Sequence, residues 1–129
     1  MCLSGLERAV LSAIGSGGFD GSEVLGAQLQ AITNVRRELD GVGLFLEIEV
    51  DGSRAPSFSP REAVIHGVSA QIDGLDYGAG FLLFISGGYM RLLDGFSFSE
   101  PWPVVVDGFR VFVDECGFEV VERTHDSEV

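Results

Sequence analysis

Residues 80–103, GFLLFISGGYMRLLDGFSFSEPWP, hold the densest apolar run, the clearest turn and the single Trp of the chain. The run from Phe81 to Ile85 is followed by Ser86, then Gly87-Gly88, then Tyr89 to Leu93. Two apolar runs separated by Gly-Gly predict a β-hairpin, because its two-residue loop needs positive φ and Gly adopts that without a steric penalty. Pairing Ser86 with Tyr89 sets the expected register. Ile85 then faces Met90, Leu83 faces Leu92 and Phe81 faces Asp94; on the reverse side Phe84 faces Arg91 and Leu82 faces Leu93. Both faces are largely apolar, whereas a half-exposed strand would alternate. The face of Phe81, Leu83, Ile85, Met90 and Leu92 is expected to be core. The face of Leu82, Phe84, Tyr89, Arg91 and Leu93 is expected to be a subunit interface or to lie under residues Pro101–Val113.

Working outward, the clean alternation from Val42 to Val50 predicts a strand with Val42, Leu44, Leu46, Ile48 and Val50 on one face. Gly43, Phe45, Glu47, Glu49 and then Asp51 share the other. The preceding segment, residues 31–39, fits either of two elements. Leu25, Leu29, Ile32, Arg36 and Leu39 would extend a helix to Leu39. The Asp40-Gly41 pair between apolar segments instead favours a hairpin, with Leu39 opposite Val42, Val35 opposite Leu46 and Thr33 opposite Ile48; the strand is preferred. Arg36 then lies diagonally near Glu47. A further strand is expected from Val64 to Ile72, with Val64, His66, Val68, Ala70 and Ile72 on its apolar face.

Two helices precede these strands. Leu6, Val10, Ala13 and Ile14 recur at helical spacing between Ser4 and Ser16, and Gly15-Ser16-Gly17-Gly18 supplies the stop. A second helix starts near Ser22, with Asp20 or Ser22 as N-cap and Glu23 in the first turn. After the central hairpin, Pro101-Trp102-Pro103 ends any strand, since Pro cannot donate to a ladder. Val104 to Val113 and Phe118 to Val121 supply the last apolar segments, and Thr124 to Val129 reads as a polar, frayed tail. The expected architecture is one α+β domain over residues 1–129. Two N-terminal helices pack on one face of a mostly antiparallel sheet of five to seven strands.

Composition narrows the function. The formal net charge is −12, and all eight basic residues are Arg. The absence of Lys removes Schiff-base chemistry and a phosphate-loop lysine. The acidity argues against nucleic acid, which needs a basic footprint. No apolar run reaches membrane-spanning length, the first residues lack a secretion signal, and Cys2 and Cys116 read as reduced thiols. These features predict a cytoplasmic protein with no membrane partner.

Two stretches, LQAITNVRRELDGVGLFLEIEV and the opening GFLLF…GG…LLDGF…PWP pattern, resemble sequences of small bacterial single-domain proteins of unassigned function. The resemblance covers about a third of the chain, a share judged by the length of the two stretches. It implies a compact bacterial α+β protein and brings no activity, cofactor or catalytic residue.

Few residues are equipped for chemistry. Glu47, Glu49 and Asp51 lie roughly 7 Å apart along one strand face, too far for neighbours alone to hold a metal ion. They read as a solvated acidic face or as a binding surface for a basic partner. His66 reads as a core residue, or as a general base if Asp73, Asp76 or Glu100 reaches it. His125 falls in the polar tail. Acidic neighbours Asp114, Glu115 and Glu119 disfavour a thiolate at Cys116. Trp102 is either a lid on the core or an exposed anchor for a partner. No cofactor or metal site is expected, since CxxC, HxxxH, GxSxG and GxGxxG are absent.

The leading expectation is therefore a non-enzymatic acidic interaction module of inhibitor or immunity type. Its candidate binding residues are Glu47, Glu49, Asp51, Tyr89, Arg91 and Trp102. Its partner is a protein, basic in character, or a second copy of the chain in a homodimer. The alternatives are a structural subunit of a larger assembly, and a small-molecule-binding protein or hydrolase with a pocket between sheet and helices built on His66.

Overall fold

A computed structural model describes residues 2–98 and 100–123. The expected frayed tail and His125 lie outside the described residues. The elements run α1 (Gly5–Gly15), α2 (Ser22–Gln30), β1 (Ile32–Leu39), β2 (Gly43–Val50), β3 (Ala63–Ile72), β4 (Ala79–Ser86), β5 (Tyr89–Ser97), β6 (Phe109–Val113) and β7 (Glu119–Glu122). The fold is α+β, with an antiparallel sheet in the order β1-β2-β5-β4-β3-β6 and β7 also on β3.

Ser4 caps α1 through a capping box. Its hydroxyl accepts from Glu7 N at 3.1 Å, and the Glu7 carboxylate accepts from Ser4 N at 2.8 Å. Leu6, Val10, Leu11 and Ile14 are buried against the sheet. The N-cap of α2 is Gly21, in a left-handed conformation, and not Asp20 or Ser22; the Ser22 hydroxyl turns back to accept from Gly18 N at 3.1 Å. The helices cross where Gly15 meets Gly26, closely enough that a Cβ on Gly15 would come within 2.8 Å of Gly26 Cα.

Segment 31–39 is a strand, in a register two residues away from the expected one. Leu39 pairs with Leu44, Arg37 with Leu46 and Val35 with Ile48. The turn residues are Gly41 and Val42, closed by Asp40 N donating to Gly43 O at 3.1 Å. A shift of two preserves which side chains share a face, so Leu44, Leu46 and Ile48 still enter the core.

Two bulges redraw the faces of the central strands. The Gly87-Gly88 hairpin has the expected pairs Ser86–Tyr89 and Ile85–Met90, but Phe84 then pairs with Leu92, leaving Arg91 as an extra residue. Beyond it the register moves by one, so Leu93 is buried and Leu92 turns outward, the reverse of expectation. In β3 the register shifts between Ile65 and Val68. Gly67 has φ +120° there, and a Cβ on it would sit 2.5 Å from Gly117 O. Ala63 and Ile65 are buried before the bulge, and Val68, Ala70 and Ile72 after it. His66 and Val64 are consequently displaced from the apolar face expected for them. The same bulge divides the neighbouring edge: β7 pairs with Ala63–His66, and β6 with Val68–Ile72.

Both helices pack on the face carrying Phe81, Leu83, Ile85, Met90 and Leu93. Gln28 of α2 is fully buried and joins the layers. Its amide nitrogen donates to Pro56 O and Gly88 O, each at 2.9 Å, and its amide oxygen accepts from Met90 N at 2.9 Å. β2 pairs with β5 only as far as Leu92, so Met90 N has no ladder partner on that side. Replacing Gln28 with Ala leaves Met90 N unpaired, takes one donor from Pro56 O and one from Gly88 O, which still accepts from Phe58 N, and opens a void. The Gln28→Ala protein is expected to lose about 2–4 kcal/mol of stability. Urea unfolding checks this as a lower midpoint at unchanged slope.

Candidate functional site

The sheet has two unlike faces. On the outer face, away from the helices, the registers place Phe45 of β2, Leu92, Asp94 and Phe96 of β5, Leu82 and Phe84 of β4, and Val64 of β3. Each is half-buried, screened by its neighbours, and among the described residues no second layer covers them. Residues Pro101–Val113 do not cover this face, which removes one of the two expected alternatives. Trp102 folds to the core side, edge-on to Phe81 at 6.2 Å between ring centres, and its N donates to Gly41 O at 2.7 Å. Phe109–Val113 joins the sheet as β6. Arg123 lies across the outer face, its guanidinium 5.5 Å from the centre of the Phe84 ring. The result is a contiguous apolar surface on a rigid sheet, of the kind that meets partners.

One carboxylate interrupts it. Asp94 pairs with Phe45 on one side and with Leu82 on the other. No described residue hydrogen-bonds or ion-pairs with its side chain. Burial, followed by the negative charge of Asp40, pushes its pKa up from the ordinary aspartate value. Ionised Asp94 is therefore kept at a cost to the free protein.

The six candidates from the sequence separate by role. Glu47 is on the outer face but already engaged: Arg36 directly opposite donates to both its oxygens, at 3.0 and 2.7 Å. Those hydrogen bonds hold the Glu47 carboxyl below the usual range and Arg36 above it. Both side chains are solvated, so the pair adds little stability. Glu49 is exposed on the same face opposite Asn34. Asp51 closes a turn, accepting from Ser53 N at 3.0 Å and Ser53 Oγ at 2.7 Å, which lowers its pKa. The Tyr89 hydroxyl reaches Gly52 O and Ala55 O at 3.4 and 3.3 Å, holding the loop after β2. Arg91 is the exposed bulge residue beside Leu92. Trp102 is 7% exposed and is a lid on the core, not an anchor for a partner.

His66 is not in a pocket between sheet and helices. It lines an open cleft at the β3 bulge with Asp114, Cys116 and Glu119, while Asp73 and Asp76 line a different cleft beyond the far end of β3. Among the described residues no group of three His, Cys, Asp or Glu side chains is placed to hold a metal ion, and no helix is long and apolar enough to cross a membrane. Asp94 is not singled out by the sequence, because Asp94-Gly95 reads as a turn or bulge. In the structure both lie within β5, where Gly95 makes room for the rings of Phe81 and Trp102.

A raised carboxyl pKa fixes the sign of a pH effect. The folded state disfavours ionised Asp94, so its destabilising contribution is absent below the ordinary aspartate pKa of about 3.9 and grows as pH rises through the elevated folded value. Asp94→Asn is expected to be more stable than the parent at pH 7, with the difference closing in acid. Urea melts of both proteins across that range measure it, and an unchanged difference at both ends would contradict the assignment.

No protein-family model, no curated protein and no solved structure matches this chain.

Proposed function

We propose that this protein is a non-enzymatic interaction module of a bacterial cytosol that binds a basic protein partner, in the manner of an inhibitor or immunity protein. The observation that carries the reading is the outer face, over which no described element forms a layer, with Asp94 at its centre lacking a partner among the described residues. An apolar surface alone suits many occupants. A partly desolvated carboxylate within it favours one that brings a cation, because an Arg or Lys docked there would offset the cost of ionising Asp94 on this face. The net charge of −12 would speed the approach of such a partner and oppose self-association at low salt.

The rim has polarity as well. Glu38 and Glu49 are exposed on the β1–β2 side, with Asp40 at the end of β1. Arg36 is taken by Glu47 and Arg123 by the Phe84 ring. The catalytic reading at His66 has less behind it. Its cleft is open, and no described side chain hydrogen-bonds to the imidazole to orient it.

The test is affinity capture from a bacterial extract with the parent and with Leu92→Asp, a half-exposed position whose change leaves the core intact. Val104→Asp, on the exposed loop after Trp102, is the control. The expected result is a basic protein retained by the parent and by the control, and lost at least about tenfold from Leu92→Asp. Capture unaffected by Leu92→Asp would overturn the reading. So would a concentration-dependent dimer, seen by light scattering, that Leu92→Asp dissolves, since a second copy would then occupy the face.

A further inference from the structure

Beyond the far end of β3 the outer face deepens into a cleft of about 530 Å³. Ser69 and Gln71 of β3 form its floor, the 73–78 loop one wall, and Phe98 and Phe112 the others. Three aromatic side chains around it face solvent: Tyr77 is 75% exposed, Phe98 51% and Phe112 36%. Phe98 packs edge-on to Phe96 at 5.8 Å between ring centres, and Tyr77 is the ring that stands furthest into solvent.

The wall is built rigid. The Glu100 carboxylate accepts from Asp76 N at 3.0 Å and from Tyr77 N at 3.2 Å. Leu75 is buried beneath, its N donating to Ile72 O at 3.0 Å, and Asp73 N donates to Gly108 O at 2.9 Å. The loop is thus held at Asp73, Leu75, Asp76 and Tyr77 while the Tyr77 ring stays in water. A ligand stacking on that ring would not have to order the loop, which is the condition for a strong aromatic anchor.

The chemistry of the occupant follows from what the cleft lacks. β3 is paired by β4 on one side and β6 on the other, so the floor of the cleft has no free strand edge to which a ligand could add as a strand. Recognition falls to side chains: rings for apolar groups, the exposed Gln71 amide for a backbone carbonyl, and the Asp73 and Asp76 carboxylates, which have no partner among the described residues. The nearby cation, Arg110, is stacked 5.3 Å from the centre of the Phe112 ring. An extended polyproline-type segment needs no ladder, because its backbone is solvated, and it presents proline rings to aromatic walls. We propose that this cleft takes a basic, proline-containing segment of a protein partner, with Tyr77 stacking on a proline and Asp73 and Asp76 pairing with a flanking Arg or Lys. This rests on the interaction-module reading and adds a second point of contact on the same face.

The experiment uses the full chain and fluorescein-labelled synthetic peptides, read by anisotropy and by amide shift mapping. One peptide is proline-rich and flanked by arginines, a second carries glutamates in their place, and a third replaces the prolines with alanines. Saturable binding of the first alone is expected, with shifts on residues 73–78. Tyr77→Ala should weaken it at least about tenfold, Tyr77→Phe much less, and Asp76→Asn should weaken it and reduce its salt dependence. No saturable binding, equal binding of the alanine or glutamate peptide, or shifts confined elsewhere would overturn the proposal. Tyr77-dependent binding of a neutral oligosaccharide in place of the peptide would overturn it too. If partner capture is lost with Leu92→Asp while the first peptide fails to bind, this inference falls and the interaction reading stands. Tyr77-dependent peptide binding with capture insensitive to Leu92→Asp separates them the other way.

Discussion

The buried amide of Gln28 is the constraint on which the two layers depend. Helix packing on a sheet is otherwise apolar and tolerant of sliding, since hydrophobic burial has no direction. A side chain that must satisfy Pro56 O, Gly88 O and Met90 N together permits one placement. It ties α2 to the Gly87-Gly88 turn and to the loop before β3, and so decides which face of the hairpin is covered. A second polar tie works along the same seam. Glu7 of α1, 2% exposed, accepts from Arg37 Nε at 2.5 Å and Arg37 Nη2 at 2.6 Å, while Arg37 Nη2 also donates to Cys2 O at 2.9 Å. The helix layer is located by hydrogen bonds at both ends, with the apolar core between them.

Two short helices on a seven-stranded sheet leave its other side without a second layer among the described residues. The chain handles this with Phe45, Leu82, Phe84, Leu92 and Phe96 shielding one another, and with charges such as Glu47, Arg36 and Arg123 around or across them. That arrangement keeps an apolar surface in water without making it core. Asp94 stands apart from it. A residue chosen for solubility would sit at the rim, where ionisation costs nothing, and one chosen for stability would be apolar. A carboxylate between Phe45 and Leu82 with no partner among the described residues serves neither end in the isolated chain, which is what the proposed cationic partner would explain.

Much of the fold is legible in the sequence. Gly87-Gly88 between apolar runs, the alternation in Val42–Val50 and Asp40-Gly41 each follow from local backbone chemistry, and each gave its element. What escaped were one-residue and long-range decisions. A bulge at Arg91 exchanges Leu92 for Leu93, two residues with the same side chain, so composition carried no information about which would be buried. The bulge at Gly67 did leave a trace, since an isolated Gly within a strand pattern is a bulge signal. Reading straight through it put His66 on the wrong face. The Glu7–Arg37 pair spans thirty residues and no local pattern points to it. Trp102 was undecided because Pro101 and Pro103 fix its backbone and not its ring. The cleft at Tyr77 was invisible because Glu100, which pins its wall, is separated from it by the whole central hairpin.

The divided edge strand beside β3 also bears on how the chain acquires its fold. β3 lies in the middle of the sequence, yet one of its two edges is completed only by residues 109–122. During synthesis, β1 to β5 can assemble while that edge still displays unpaired backbone groups. Two short strands offset by the Gly67 bulge close it as separate pieces, and neither half is long or straight enough to template a foreign strand well. The kink that moved His66 off the core face thus also protects the nascent sheet during the interval in which it is most exposed to other chains.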